Sequence, residues 1–220
     1  MTYRIKICEK GFEVYKYLLL LLLLCNTLFA NILTNLTNEE KEFIKNNPLI
    51  NVGAETDWPP FDYVENGKYK GIAKDYLEII EKKTGLKFNY IYGYKWTQLL
   101  QMAFDKEIDL LPILSKTTNR EKNLIFTSNS YMIIRDYLYS TNKTFETLND
   151  LNGKSIVIEK GYVKEDFIKD NYPKIKIITV NNTLEAIDLV ITKKADALIS
   201  NTPQIEYLTK KNNISTLSPT

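Results

Sequence analysis

The chain has 220 residues, enough for one large domain or two small lobes with buried cores. Apolar residues make up 44% and charged residues 25%, proportions that exclude a disordered chain. No histidine occurs, which excludes Ser-His-Asp and Cys-His catalytic arrangements and every His-ligated metal site.

The first segment reads as an export signal. Arg4, Lys6, Lys10 and Lys16 precede an unbroken apolar run from Leu18 to Leu24, and small or polar residues follow up to Ala30. A basic start, a short apolar middle and a cleavable-looking end predict a signal peptide over 1–30. The run falls short of the roughly 20 apolar residues of a transmembrane helix. Leu28 is an awkward residue before a cut after Ala30, so an uncleaved anchor stays open, and Leu24-Cys25 fits a lipoprotein signal poorly. The whole chain has 29 basic and 27 acidic residues, and this segment holds four and two of them. The remainder is formally neutral, with no basic field to hold nucleic acid or an anionic bilayer. Cys8 and Cys25 both lie in the signal, so the exported domain has no disulfide, thiol nucleophile or zinc–thiolate site. A periplasmic location is expected, and no cofactor or metal.

Along the rest of the chain, Thr37-x-x-Glu40 fits a capping box that opens a short helix ending before Pro48, within a lead segment at 31–48. A strand is predicted at 49–54 and a hairpin at 63–69 turning on Asn66-Gly67. Helical spacing of Ile72, Tyr76, Ile79, Ile80 and Lys83 predicts a helix at 72–84, stopped by Gly85. A strand at 87–92, a helix with Trp96, Leu99, Leu100, Ala103 and Phe104 on its apolar face, and a strand at 110–114 follow. The apolar segment 131–141 suits an extended crossover between halves. Beyond it come a strand at 155–159, a helix at 163–171, a strand at 176–180, a helix at 183–192 and a strand at 195–200. Pro203 suits the first turn of a last helix. Strands alternating with helices imply parallel α/β layers, divided here into lobes at 49–136 and 137–220.

In open parallel sheets, ligands sit beyond the carboxyl ends of strands. Four segments in such places carry suggestive residues. In the first, Glu55-Thr56-Asp57-Trp58-Pro59-Pro60-Phe61, the prolines stiffen a loop that offers Trp58 or Phe61 as a face and Glu55 or Asp57 as a carboxylate. Phe61 equally suits a plug for the core beneath. In the second, Ser115, Thr117 and Arg120 bring hydroxyls and a guanidinium to a helix start, a combination that receives a carboxylate. Gly161-Tyr162-Val163 opens a helix straight after a strand, where free amides would receive an anion. Asn201 follows the last strand, as a helix cap or a ligand contact. Glu55 and Asp57 are the acids placed near this cleft, with no second carboxylate expected opposite them.

The order of these stretches resembles the family 3 periplasmic solute-binding proteins, the amino-acid-binding type. The matching stretches are DWPPFDY at 57–63, NGKYKGIAKDYLEII at 66–80, the W-x-x-L of 96–99, EIDLLPILSKTTNREKNLIFTSNSY at 107–131, LNGKSIVIEKGY at 151–162 and KADALISN at 194–201. The lead segment at 36–53 resembles the variant found as the extracytoplasmic input of hybrid sensor kinases. The resemblance implies a Venus-flytrap fold of two α/β lobes closing on a ligand. It also implies that Arg120 clamps a ligand carboxylate, helped by Ser115 and by amides around Val163. Trp58 would stack on the ligand, and Glu55 falls where some members place an acid that reads the ligand's side chain. Asn201 stands where amino-acid binders commonly have an aspartate, and Val163 where a hydroxyl is usual. The C-terminal return to the first lobe, about two strands and a helix in the family, has no counterpart before Thr220.

These readings predict a binding domain and not an enzyme, with a small carboxylate-bearing metabolite as its ligand. Its partner would be a membrane sensor or, in the alternative, a permease. A dehydratase on the same fold is a third reading, and it would need a positioned acid with a shifted pKa. On the sequence, Arg120→Ala is expected to abolish binding and leave the fold intact.

Overall fold

Side-chain capping bonds open the helices that start at Asn38, Thr183 and Thr202, while those that start at Trp96 and Val163 begin without one. The computed structural model describes residues 36–141, 144–215 and 217–219, so the signal at 1–30 lies outside the described residues. Helix α1 (Asn38–Asn46) opens on the expected capping box: Thr37 accepts from the Glu40 amide, and the Glu40 carboxylate accepts from the Thr37 amide at 2.7 Å. The described residues divide into two compact units, one made of residues up to 48 with 79–86 and the other of 49–78 with those from 87 onward. Helix α1 belongs to the first. The second carries the sheets and the site.

The first half of that second unit builds two small sheets. Strand β1 (Ile50–Gly53) pairs in parallel with β5 (Phe88–Ile91). Strands β2 (Asp57–Trp58), β3 (Asp62–Glu65) and β4 (Lys68–Lys70) form an antiparallel sheet. Asn66 and Gly67 both have positive φ, as a two-residue hairpin turn requires. Helix α2 (Ile72–Thr84) starts behind Gly71, where φ is +119° and a Cβ would meet the Phe61 carbonyl oxygen at 2.4 Å. Helix α3 (Trp96–Phe104) buries Leu99 and Ala103, with Val52 and Ile108 also in the core.

The expected strand at 110–114 does not form. Leu110 makes a single bridge to Val52, its amide donating to Asn51 and its carbonyl accepting from Gly53. Pro112 has no N–H to extend the ladder.

The second half is a five-stranded sheet in the order β10-β6-β9-β7-β8, made of β6 (Asp136–Ser140), β7 (Ser155–Glu159), β8 (Lys176–Val180), β9 (Ala197–Asn201) and β10 (Ser218–Pro219). Side chains alternate along its strands. Ile156, Ile158, Leu138 and Ala197 enter one core with Ile168, while Val157, Tyr139 and Leu198 enter another with Ile187, Val190 and Ile205. Helix α4 (Val163–Asn171) supplies Ile168. Helices α5 (Thr183–Ile191) and α6 (Thr202–Lys211) supply the other core, so the sheet is covered on both faces.

Two expectations are corrected here. The sheet is mixed, because β6 and β10 run antiparallel to their neighbours, although β7, β8 and β9 are parallel. The segment 131–141 is a strand only over Asp136–Ser140, and it joins the second sheet beside β9. Its apolar pair Leu138 and Tyr139 explains why: each belongs to one of the two cores that the sheet separates.

Candidate ligand-binding site

The carboxyl end of β1 leads into Ala54-Glu55, and the carboxyl end of β7 leads into the 160–162 turn ahead of α4. Side chains from these two places meet. Tyr162 donates its hydroxyl to Glu55 Oε1 at 2.5 Å. Its ring lies edge-on to Trp58, with centroids 6.3 Å apart, and tilted against Trp96 at 5.9 Å. Trp58 in turn rests on Phe61 at 5.1 Å.

Arg120 closes the same junction from another loop. It is 7% exposed, unusually low for an arginine. Nη1 donates to the Ser115 carbonyl at 2.9 Å and Nη2 to the Gly161 carbonyl at 3.3 Å. The guanidinium carbon lies 5.7 Å from the centre of the Trp96 ring. Trp96 Nε1 donates to that same Gly161 carbonyl at 3.1 Å. Burial works to lower the pKa of Arg120, with Asp166 acting in the opposite direction. A guanidinium has five N–H donors, so two bonds to carbonyls leave capacity for an anion.

Gly161 has φ of +79°, and a Cβ there would come within 2.8 Å of Thr97 Cγ2. The close approach of the 160–162 turn to α3 therefore requires glycine.

The acidic side of the site is larger than the sequence suggests. Burial first, and then the charge of Glu159 at the end of β7, raise the Glu55 pKa well above the ordinary carboxylate value. Burial likewise raises Glu159 to about 7. The expectation of no carboxylate opposite Glu55 is thus corrected, and a strand end is where such a residue was to be sought. Asp62 is buried, accepts from the Glu55 amide at 3.1 Å and is raised by burial to about 7. Asp57 is raised as well, by burial. Behind Glu159, the Thr183 hydroxyl donates to its carboxylate, and Gln204 Nε2 donates to Thr183 Oγ1 at 2.7 Å.

The residues singled out in the sequence divide by place. Glu55, Trp58, Phe61, Arg120 and Gly161 come together, with Phe61 buried beneath Trp58. Ser115 contributes its carbonyl, and its side chain is in an exposed residue. Thr117 accepts from the Arg120 amide at 3.2 Å and so caps the short 3-10 turn Arg120–Lys122. Val163 is the half-buried first residue of α4. Asn201 is 1% exposed and caps α6, accepting from the Gln204 amide at 2.9 Å and donating to Gln204 Oε1 at 3.3 Å. The expectation of free amides at this helix start is corrected at two positions: the Gly161 N–H donates to Glu165 Oε2 at 2.8 Å, and the Tyr162 N–H donates to the Glu159 carbonyl at 3.3 Å.

Sequence reasoning passed over Trp96, Glu159, Thr183 and Gln204. Trp96 shares its helical face with Leu99 and Ala103, which suits a core role, yet it stands in the first turn of α3 and its Nε1 reaches the junction.

Two α/β halves meeting through strand-end loops, around a buried guanidinium and an acidic wall, define the Venus-flytrap class of periplasmic binding domain. The chain belongs to the bacterial extracellular solute-binding proteins, family 3, whose pattern matches residues 50–212. Among its relatives is the Sensor protein EvgS of Escherichia coli (strain K12), 29% identical over 189 residues. That match covers 83% of this chain and 15% of EvgS, so the chain spans a small part of that relative's length. The Arginine-binding extracellular protein ArtP of Bacillus subtilis (strain 168) is 26% identical over 182 residues, which cover 82% of this chain and 69% of ArtP. In fold, the periplasmic VFT2 domain of Bordetella pertussis BvgS aligns with a TM-score of 0.72 at 20% identity, covering 83% of this chain and 79% of that domain.

Proposed function

We propose that the chain is the extracytoplasmic sensory input of a signalling system, and that it captures a small carboxylate-bearing metabolite such as an amino acid. Residues 49–136 and 137–220 act as the two closing lobes. The observation that carries this reading is the Arg120–Gly161 contact beside Glu55 and Tyr162. It brings an anion receptor and a carboxylate from separate loops to one junction. A zwitterionic ligand matches that pairing: its carboxylate takes the guanidinium's remaining donors, and its ammonium or a cationic side chain faces Glu55. Trp58 and Trp96 supply the apolar walls. The likeness to EvgS supports the sensory role, in which a ligand that prefers the closed state shifts the population of a membrane-coupled switch.

A second reading, a soluble receptor that hands an amino acid to a membrane permease, is favoured by the likeness to ArtP. Both share the same binding chemistry. A thermal-shift screen of the purified exported chain against the standard amino acids and small dicarboxylates tests the shared part. A ligand present at one hundred times its Kd stabilises the protein by about 2.7 kcal/mol. For a chain of this length that raises Tm by about 5–11 °C. A screen in which no amino acid or carboxylate moves Tm overturns the reading.

A further inference from the structure

The Glu55 carboxyl already holds a donor from its own chain. Tyr162 reaches it at 2.5 Å across 107 positions of sequence. The Tyr162 phenol does not ionise in this setting: burial first, then the charges of Glu55 and Glu159, push its pKa well above the ordinary value. It is therefore a neutral donor, carried on the chain itself and set against Glu55. Its ring has no loose fit either, since Trp58 lies against it on one side and Trp96 on another. The turn that carries it is fixed at Gly161, whose carbonyl accepts from Trp96 Nε1 and Arg120 Nη2.

The neighbouring acid is held just as firmly. Gln204 is 2% exposed, and its Oε1 accepts from Ser200 Oγ at 3.0 Å and from Asn201 Nδ2 at 3.3 Å. Those two bonds fix which end of the amide faces Thr183, so Nε2 donates to Thr183 and Thr183 donates to Glu159. The charged groups around the pair are Asp57 and Asp62 on the β2–β3 side and Lys164 on α4. Lys164 is itself paired with Asp136 at 2.7 Å.

We infer that Tyr162 is an affinity-setting residue, a tethered competitor for Glu55 that imposes the same threshold on every ligand, one that ligands bearing a cationic N–H group cross most readily. The inference rests on the reading of this junction as the ligand site. A neutral amide that displaces the phenol exchanges one neutral donor for another on the same acceptor and gains little. An ammonium or guanidinium brings a full positive charge in place of a neutral donor, which strengthens the bond and offsets the repulsion between Glu55 and Glu159. The threshold is the same for every ligand, so removing it tightens all of them together.

The test is isothermal titration of L-arginine, L-lysine and L-glutamine into the wild-type chain and into Tyr162→Phe. The substitution keeps the ring between Trp58 and Trp96 and deletes only the donor. It leaves Glu55 without its resident partner, so each ligand is expected to bind roughly ten- to hundred-fold more tightly, equivalent to about 1.4–2.8 kcal/mol. Glutamine is expected to become measurable only in the variant. A residue that merely supports the pocket would weaken binding when altered. Arginine and lysine affinities that stay equal or fall in Tyr162→Phe overturn the competitor role alone. Failure of all three to bind either protein removes the amino-acid reading beneath it, and the competitor with it.

Discussion

Replacing Arg120 by alanine removes three contacts at once. The bond from Nη1 to the Ser115 carbonyl, at 2.9 Å, is a well-formed charged hydrogen bond, of the kind that contributes about 1.5–3 kcal/mol. The bond from Nη2 to the Gly161 carbonyl, at 3.3 Å, is long and belongs below that range. The guanidinium over Trp96 adds about 0.5–1 kcal/mol. Together these make a loss of about 3–4 kcal/mol, because the side chain is 7% exposed and water cannot fully replace its partners. At about 2–4 °C per kcal/mol for a chain of this size, Tm falls by about 6–16 °C in the absence of ligand. Circular dichroism melts of wild type, Arg120→Lys and Arg120→Ala measure this, with lysine intermediate because it keeps the charge and loses the fork. A ligand-free Tm for Arg120→Ala within about 2 °C of wild type would refute the reasoning. The sequence alone leads one to expect a variant that loses binding and keeps its fold. The buried guanidinium predicts a loss of stability as well.

Acidity and the second-unit surface give further tests. Asp62 and Glu159 are raised to about 7, so the folded chain binds protons that the unfolded chain releases between their ordinary values and pH 7. The stability they contribute is fully present below their ordinary carboxylate values and is lost as pH rises through about 7. A Tm higher at pH 5 than at pH 8 is the expected result, and a Tm that climbs steadily across that interval contradicts it. Glu65 behaves with the opposite sign. Hydrogen bonds from Lys211, Lys70 and Tyr207 lower its pKa to about 2, so its contribution is present above the ordinary value and disappears as pH falls through about 2. A carboxyl-detected NMR titration should place its midpoint near 2, and Lys211→Met should move it upward. A midpoint that ignores Lys211 means that the ion pair is not formed in solution.

Most of the architecture was legible because periodicity and end signals coincide. Val163–Asn171 and Ser155–Glu159 fall where apolar spacing and flanking residues place them. The hairpin turn follows directly from Asn66-Gly67. What failed depends on partners distant in sequence. The apolar run at 110–114 has strand composition, but a ladder needs donors on alternate residues, and Pro112 supplies none. The antiparallel setting of β6 is chosen by β9, about sixty residues later, and nothing local to Asp136–Ser140 announces it. In the site, residues that act through side chains beside a loop glycine or a stiffened proline turn were visible. Glu159 was not, because a strand's last residue looks the same whether it faces solvent or a second acid. Trp96 was hidden by its own helix, since its spacing with Leu99 and Ala103 satisfies a core explanation completely. Asn201 shows the converse. Its position after a strand suits a ligand contact or a cap, and its side chain caps α6 through its bonds to Gln204.

The carbonyl of Gly161 is an atom that no codon change can delete. Glycine is required at that turn, and its oxygen is the same in every amino acid, so the acceptor at the seam is invariant by chemistry. Any evolutionary loosening or tightening of this hold must be written in the donors, Trp96 and Arg120. Those two positions are therefore the dials by which a descendant of this chain would retune this contact.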